Sequence, residues 1–272
     1  MPLLLNLITP TVKLLLRKLG LTKIADNLRM HFYHWKNREK NDHFRRNNTS
    51  FSLPPDFIMY ETFKLDYQKY FDSGAASAKW LIELYRQHSD NEPKTVLDWG
   101  CGPGRVVRHL PILLPKTSVI IGSDFNETTI SWCRKNITDI FFLKNELGPP
   151  LELKENQIFF AYAISVFTHL SLARHESWIK EIFRILAPSG IFIFSTQGQV
   201  FKNILTKKEK LVFDQGLLVV RSADEEGRRT FSAFHPADYV QTLLGDFEIL
   251  DHIQGKLKDG QPQQDLWIVK KK

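Results

Sequence analysis

The chain has 272 residues, 43% hydrophobic and 25% charged, the balance of a folded protein whose core needs no disulfide or metal staple. Its two cysteines form no CxxC pair and its nine histidines no ligand spacing, which excludes a zinc framework, leaves no metal expected, and suits a reducing, cytoplasmic setting. The net charge of +7 lies in residues 1–50, with ten Lys or Arg against three Asp or Glu, while the other 222 residues hold 27 of each sign, so no nucleic-acid partner is expected.

Residues 1–55 read as a basic amphipathic helical arm and linker. Leu14, Leu15, Leu19, Ile24 and Leu28 recur at roughly helical spacing among Lys13, Arg17, Lys18 and Lys23. No positive residue precedes the apolar run and no run is long enough to span a bilayer. The arm lies on an anionic membrane surface, or it packs on the main domain with its basic face solvated. Residues 41–55, ending in a double proline, read as a linker or loop.

Residues 56–272 read as one domain. Leading helices are expected over 56–92, with Ala78, Leu81, Ile82, Leu84 and Tyr85 on one side and Gly74 near the start. A strand at TVLDW is followed by a glycine loop and a helix through RVVRHLPILL. A strand at SVIIGS precedes a helix from FNETTISWCRKN, capped by Asn126. FFLK and IFFAYAIS are strands three and four, and a helix runs from about Ser171 to Leu186. APSG reads as a turn before strand five, IFIFST. Residues 197–235 form a long charged insertion, expected to lie over the acceptor site. A helix opening at Pro236 and a strand pair, FEILDHI with DLWIVKK, close the chain. Strands alternating with helices predict an α/β doubly wound, mostly parallel sheet.

The stretch VLDWGCGPGR, residues 96–105, sets Gly100, Gly102 and Gly104 two residues apart behind Asp98. Dinucleotide loops want GxGxxG, and here Arg105 stands where the last glycine would be. A pyrophosphate would also meet the like charge of Asp98. With Asp124 twenty residues past Gly104, DWGCGPG resembles the cofactor loop of class I S-adenosylmethionine-dependent methyltransferases, in a bacterial subgroup. AISVFTHLS and WIKEIFRILAPSGIFIF extend the likeness across about 93–270. Two positions depart from it: Ile158 and Phe159 stand where strand four often begins Phe-Asp, and Ser189 replaces a glycine.

The resemblance implies a Rossmann-like seven-stranded sheet of order 3-2-1-4-5-7-6, the last strand antiparallel, with a cofactor-binding core over 93–196. It implies S-adenosylmethionine as cofactor, with Gly100, Cys101, Gly102 and Gly104 along its methionyl and ribose parts and Asp98 near its amino end. Asp124 would hold the ribose, Phe125 the adenine face, and Asn145 or Glu146 the adenine edge. Arg105 would pair with the methionine carboxylate or face solvent; Ile164 and Ser165 complete the expected cofactor set. His169 is the first base candidate and His235 the second, each with a packing role as its alternative. The expected reaction is methyl transfer to an oxygen or nitrogen of a small molecule or glycan. The alternatives are an NAD(P)-dependent oxidoreductase and a non-catalytic cofactor-binding scaffold. The acceptor and the oligomeric state are not legible in the residues.

Overall fold

The computed structural model describes residues 22–221, 226–227 and 231–272. The chain divides into two compact units, residues 1–73 and 74–272. Leu14, Leu15 and Leu19 of the expected arm lie outside the described residues.

The first unit holds helices α1 (Thr22–Lys36), α2 (Arg38–Asn47) and α3 (Asp56–Phe63) and the opening of α4 (Tyr67–His88). The linker expected over 41–55 is therefore helical as far as Asn47. Phe44 explains this, because it anchors an otherwise polar helix in a core of Met59, Tyr60, Leu65, Tyr67 and Tyr70. Asn41 is buried but satisfied: its amide donates to the Leu65 carbonyl at 2.8 Å and accepts from the Tyr67 N–H at 3.2 Å. The same cluster draws residues 56–73 into this unit, and the division between the two units falls at Ser73/Gly74.

The second unit is built on a seven-stranded sheet. Its strands are β1 (Thr95–Trp99), β2 (Val119–Asp124), β3 (Phe141–Lys144), β4 (Ile158–Ala163), β5 (Leu186–Thr196), β8 (Phe247–Ile253) and β11 (Asp265–Lys271). They lie in the order β3-β2-β1-β4-β5-β11-β8, with β11 antiparallel to both neighbours and the rest of the ladder parallel. Counted among these seven, that is the expected 3-2-1-4-5-7-6.

Side-chain alternation along each strand feeds two apolar layers. Val96, Phe160 and Tyr162 pack with Leu81, Ile82, Tyr85 and Ile130 on one face. Leu97, Trp99, Ala161 and Ala163 pack with Trp178, Ile182 and Val240 on the other. The helices supplying those partners are the later turns of α4, α5 (Glu127–Asn136), α6 (Leu172–Ile185) and α8 (Ala237–Leu243). Asn126 caps α5 as expected, its side chain accepting from the Thr129 N–H at 3.1 Å.

Two local expectations are corrected. The helix through 105–114 is only a 3-10 turn, Val107–Ile112, because Pro111 inside it has no N–H to donate. The APSG stretch lies within β5, where the register to β4 jumps from Ile158↔Leu186 to Phe160↔Ile191 and the extra residues bulge out. Ser189 there holds φ +61°, the left-handed position that a glycine occupies without steric cost.

The insertion after β5 folds on itself. A 3-10 turn (Gln199–Ile204), helix α7 (Lys207–Asp214) and the antiparallel pair β6 (Val219–Arg221) and β7 (Ser232–Phe234) enclose Leu205, Phe213, Val219 and Phe234. A two-bond Arg221–Glu209 pair ties β6 to α7, at 2.7 Å for each bond. The strand pair β9 (Leu257–Lys258) and β10 (Gln261–Pro262) decorates the β8–β11 connection. Among the described residues no helix is long and apolar enough to cross a membrane.

Candidate functional site

The glycine loop leaves the carboxyl end of β1 and folds back under β2, the Gly100 and Cys101 N–H groups both donating to the Ser123 carbonyl at 2.8 and 2.9 Å. Gly100 has φ +79°, and a Cβ there would overlap Val166 Cγ2, so only glycine lets the segment after β4 approach. Gly102 is the reverse case: a Cβ would meet nothing within 4 Å, so the backbone there faces open space. Cys101 and Cys133 are buried, free thiols whose Sγ atoms both sit 3.5 Å from the Gly102 carbonyl. Burial holds both as neutral thiols, Cys133 pushed up to about 12.

Asp124, at the end of β2, accepts the Gly102 N–H at 2.9 Å on one oxygen and the Asn126 N–H at 2.8 Å on the other. Asp98 ends up buried beneath the loop, 4% exposed, with the Tyr162 hydroxyl of β4 beside it. Burial pushes the Asp98 carboxyl up to about 7 against the opposing pull of Tyr162 and Arg105, and Asp124 adds to the rise. Asp124 is raised by burial as well, although its backbone donors oppose the shift. Two buried carboxylates whose charged forms are disfavoured suit a cation or a hydroxyl-rich ligand and disfavour a pyrophosphate.

An open cavity of about 170 Å³ lies over the strand ends, lined by Gly100, Asp124, Phe125, Asn145, Ile164, Ser165 and His169 among the expected residues. Phe125 is 39% exposed at this wall, so it is not a core aromatic. Asn145 is buried, its amide donating to the Glu146 carbonyl at 2.7 Å, while its Oδ1 has no partner among the described residues. An orphaned buried acceptor costs about 1–3 kcal/mol unless a ligand or water reaches it.

Other expected residues fall outside the cavity. Asp98, Cys101, Gly102 and Gly104 belong to the end of β1 and the loop that follows it but do not line the cavity. Glu146 is largely exposed and ion-paired with Lys144. Arg105 reaches back to α4, donating to Ser77 Oγ at 3.3 Å. His235 is fully buried in a histidine pair, its Nε2 2.8 Å from that of His175.

His169 does face the cavity. Its Nδ1 stands 2.8 Å from the Phe231 carbonyl, a contact that requires the proton on Nδ1 and leaves Nε2 as the basic nitrogen. No partner takes Nε2 among the described residues. Burial lowers the imidazole's pKa below the ordinary histidine value, with Phe231 partly opposing. The insertion completes this wall: the Gly227 N–H donates to the His169 carbonyl at 2.9 Å, and Glu226 accepts from the Ser171 N–H at 2.6 Å. A Cβ on Gly227 would stand 2.8 Å from Leu147 and 3.1 Å from Phe125.

Sequence reasoning missed Trp99, Leu147, Val166, Leu170, Trp178 and Gly227, which also line the cavity. Trp99 and Trp178 pack together, with ring centroids 4.4 Å apart, and also form part of the cavity wall. Gly74 was read only as punctuation, yet a Cβ there would overlap the Arg105 carbonyl.

Residues 96–190 match the family model described as "Methyltransferase domain". A curated relative, the ubiquinone/menaquinone biosynthesis C-methyltransferase UbiE of Wigglesworthia glossinidia brevipalpis, is 26% identical over 145 residues, 51% of this chain. The match spans 57% of that protein's length. In structure the chain is similar to a SAM-dependent methyltransferase of Methanosarcina mazei, with TM-score 0.53 and 20% identity over 69% of this chain and 96% of that one. It is also similar to magnesium protoporphyrin IX methyltransferase of Synechocystis PCC 6803, solved with bound SAH. There the TM-score is 0.52 and the identity 15%, over 89% of this chain and 98% of that one. Residues 96–190 thus match a methyltransferase-domain model, and the chain has the Rossmann-like fold of the S-adenosylmethionine-dependent methyltransferases to which it is similar.

Proposed function

We propose that this chain transfers a methyl group from S-adenosylmethionine to an oxygen or nitrogen atom of a small molecule or glycan. The observation that carries the reading is the row Asp124–Phe125–Asn145 along one cavity wall, with the bare glycine backbone beside it. Asp124 keeps lone pairs for two ribose hydroxyls beyond its two backbone donors. Phe125 offers a ring face to the adenine, and the orphaned Asn145 oxygen suits its amino group. Asp124 sets a carboxylate at the cavity wall, and Asp98 lies buried behind the glycine loop, on the side where the ammonium would lie. These residues fit the cofactor.

When bound, S-adenosylmethionine supplies an activated methyl group, so the protein's task is alignment and proton handling. Ile164, Ser165 and His169 stand at the carboxyl end of β4, the usual crevice of such sheets. His169 Nε2 accepts the acceptor's proton as the new bond forms, with Nδ1–H held by Phe231. Gly227 and Glu226 cover the site from the insertion and limit water.

A second reading takes carbon as the acceptor atom, favoured by the C-methyltransferase named among the relatives. Peripheral contact with an anionic membrane belongs to the same proposal, supported by Leu28 and Trp35 exposed beside Arg29 and Lys36 on α1. So does a cytoplasmic location, supported by the two free thiols.

The test is transfer of tritiated methyl to a panel of sugars, lipids, phenols, amines and small acids. Counts in an oxygen or nitrogen acceptor support the main reading, and counts in a carbon-bound product only would replace it with the second. Sedimentation with anionic vesicles at low salt tests the membrane contact, which fails if the protein stays in the supernatant.

A further inference from the structure

We propose that the insertion after β5 carries a docking face for an anionic lipid bilayer, built from helix α7 and the turn that closes it. The face lies on the second unit, apart from the N-terminal arm, and the inference stands whether or not the methyltransferase reading does.

It starts from the stretch KKEKLVFDQGL, residues 207–217. In α7 Phe213 is buried, and Glu209, four residues earlier, turns the same way to meet Arg221 of β6. The opposite face is then Lys207, Leu211 and Gln215 in one i, i+4, i+8 row, with Lys208 and Val212 in the row beside it. All five are exposed, Leu211 at 66%. Gly216 closes the helix at φ +75°, its N–H donating to the Phe213 carbonyl at 3.0 Å while the Leu217 N–H donates to the Val212 carbonyl at 3.3 Å. This closure brings the residue after the glycine back against the last turn, so Leu217, also exposed, joins Leu211 and Val212.

Single exposed apolar side chains are ordinary on a protein surface; a group of them beside unneutralised charge is not. The insertion already has a core in Leu205, Phe213, Val219 and Phe234, and Leu211, Val212 and Leu217 take no part in it. The charge is equally one-sided. Between Gln199 and Arg221 the only carboxylates are Glu209 and Asp214. Glu209 is committed to Arg221, and Asp214 to Lys202. Among the described residues no carboxylate pairs with Lys207, Lys208 or Lys210.

An apolar ledge with lysines on the preceding turn is complementary to a bilayer bearing acidic headgroups. The leucines and valine enter the acyl boundary, and the lysine stems let their ammonium groups stay at the level of the phosphates. A second copy of the chain is a poorer occupant, because two-fold pairing of this face would set Lys207 and Lys208 against their own copies. The same insertion gives Gly227 to the cavity wall and the Phe231 carbonyl to His169. The lipid-facing helix and part of the cavity wall therefore belong to one folded element.

The test uses the full chain carrying Gln215→Cys labelled with nitrobenzoxadiazole, which leaves the lysines and apolar residues of the face in place; both native thiols are buried. It is mixed at low salt with vesicles of phosphatidylglycerol and phosphatidylcholine, or of phosphatidylcholine alone. Docking predicts a blue shift of the label on the anionic vesicles and quenching by spin-labelled lipid. Lys207→Glu with Lys208→Glu should weaken partition by about tenfold or more, each lysine near an anionic surface contributing roughly fivefold. Leu211→Asp should weaken it by a similar factor, on the order of tenfold. These side chains are exposed, and thermal melts check that the variants stay folded. A chain that sediments with anionic vesicles while the label stays in water binds through another segment, and the proposal is wrong. It is equally wrong if the chain stays in the supernatant or if neutral vesicles bind it as strongly. A label shift that grows with protein concentration in the absence of vesicles would assign the face to a second copy and overturn it as well.

Discussion

Gly74 and Arg105 are in backbone contact: helix α4 passes so close to the glycine loop that a single methyl group on Gly74 would overlap the Arg105 carbonyl oxygen and stand 3.1 Å from His109 Nε2. Glycine inside a helix ordinarily costs about 0.5–1 kcal/mol relative to alanine, so helix propensity alone favours Gly74→Ala. The packing reverses the sign. Gly74→Ala should destabilise the domain by about 1–3 kcal/mol, the range for overpacking, and should weaken S-adenosylhomocysteine binding several-fold by displacing the loop. Thermal melts and calorimetry check both, and a stabilised variant with unchanged affinity would contradict the account.

The cofactor role proposed for Asp98 predicts that affinity depends on pH. Its folded pKa of about 7 lies above the ordinary carboxylate value, chiefly through burial. In the free protein its contribution to stability is therefore full below about pH 4 and is lost as pH rises toward 7. A bound ammonium would draw the carboxylate back into its charged form, so binding releases a proton below neutrality. S-adenosylhomocysteine affinity should rise with pH between 5.5 and 7.5, by up to about tenfold per unit. Titrations in buffers of different ionisation enthalpy would detect the released proton, and Asp98→Asn should abolish both effects.

His169 must be neutral to act as a base. Its lowered pKa places the acid limb of the rate profile below 6.5, with activity lost as pH falls through that limb and flat above it. His169→Ala should reduce kcat by about 10²–10⁴-fold, remove the acid limb, and leave S-adenosylhomocysteine affinity within a few-fold. A rate that survives the substitution would return His169 to a purely structural role.

The His175–His235 pair predicts acid sensitivity. One proton is shared across the 2.8 Å contact, and His175 Nδ1 is already committed to the Ser171 carbonyl at 2.7 Å, so a second proton would place two N–H groups head to head. Burial holds His175 down to about 4 and His235 well below its ordinary value. Their contribution is therefore present above about pH 6.5 and lost as pH falls toward 4, by roughly 1.4 kcal/mol per unit for each group. The stability difference between wild type and His235→Leu should narrow by on the order of 1 kcal/mol between pH 6.5 and 5.5. A constant difference would show that the pair does not titrate.

The sheet was legible because its signals are local. The short apolar runs TVLDW and SVIIGS, the Asn126 cap and glycines at three positions each report on a few neighbouring residues. Pro111 stands inside the stretch expected to be helical over 105–114, and it limits that stretch to the 3-10 turn Val107–Ile112. The rest of the site depends on pairings that no window contains. Gln264 meets Ser165 across 99 positions, and His169 meets Phe231 across 62. His235, expected near the acceptor, was taken by His175 instead, 60 positions away. Trp99 and Trp178 look like core residues and are, so nothing in their surroundings along the chain marks them as cavity wall.

The central claim is that the glycine loop and Asp124 clasp an adenosyl sulfonium ligand and not a dinucleotide. Calorimetric titration of wild type and Asp124→Ala with S-adenosylhomocysteine, and of wild type with NADH, tests it most directly. Wild type should bind S-adenosylhomocysteine and ignore NADH, and Asp124→Ala should weaken S-adenosylhomocysteine by at least tenfold through loss of the two ribose contacts. NADH binding without S-adenosylhomocysteine binding, or an Asp124→Ala variant of unchanged affinity, would contradict it.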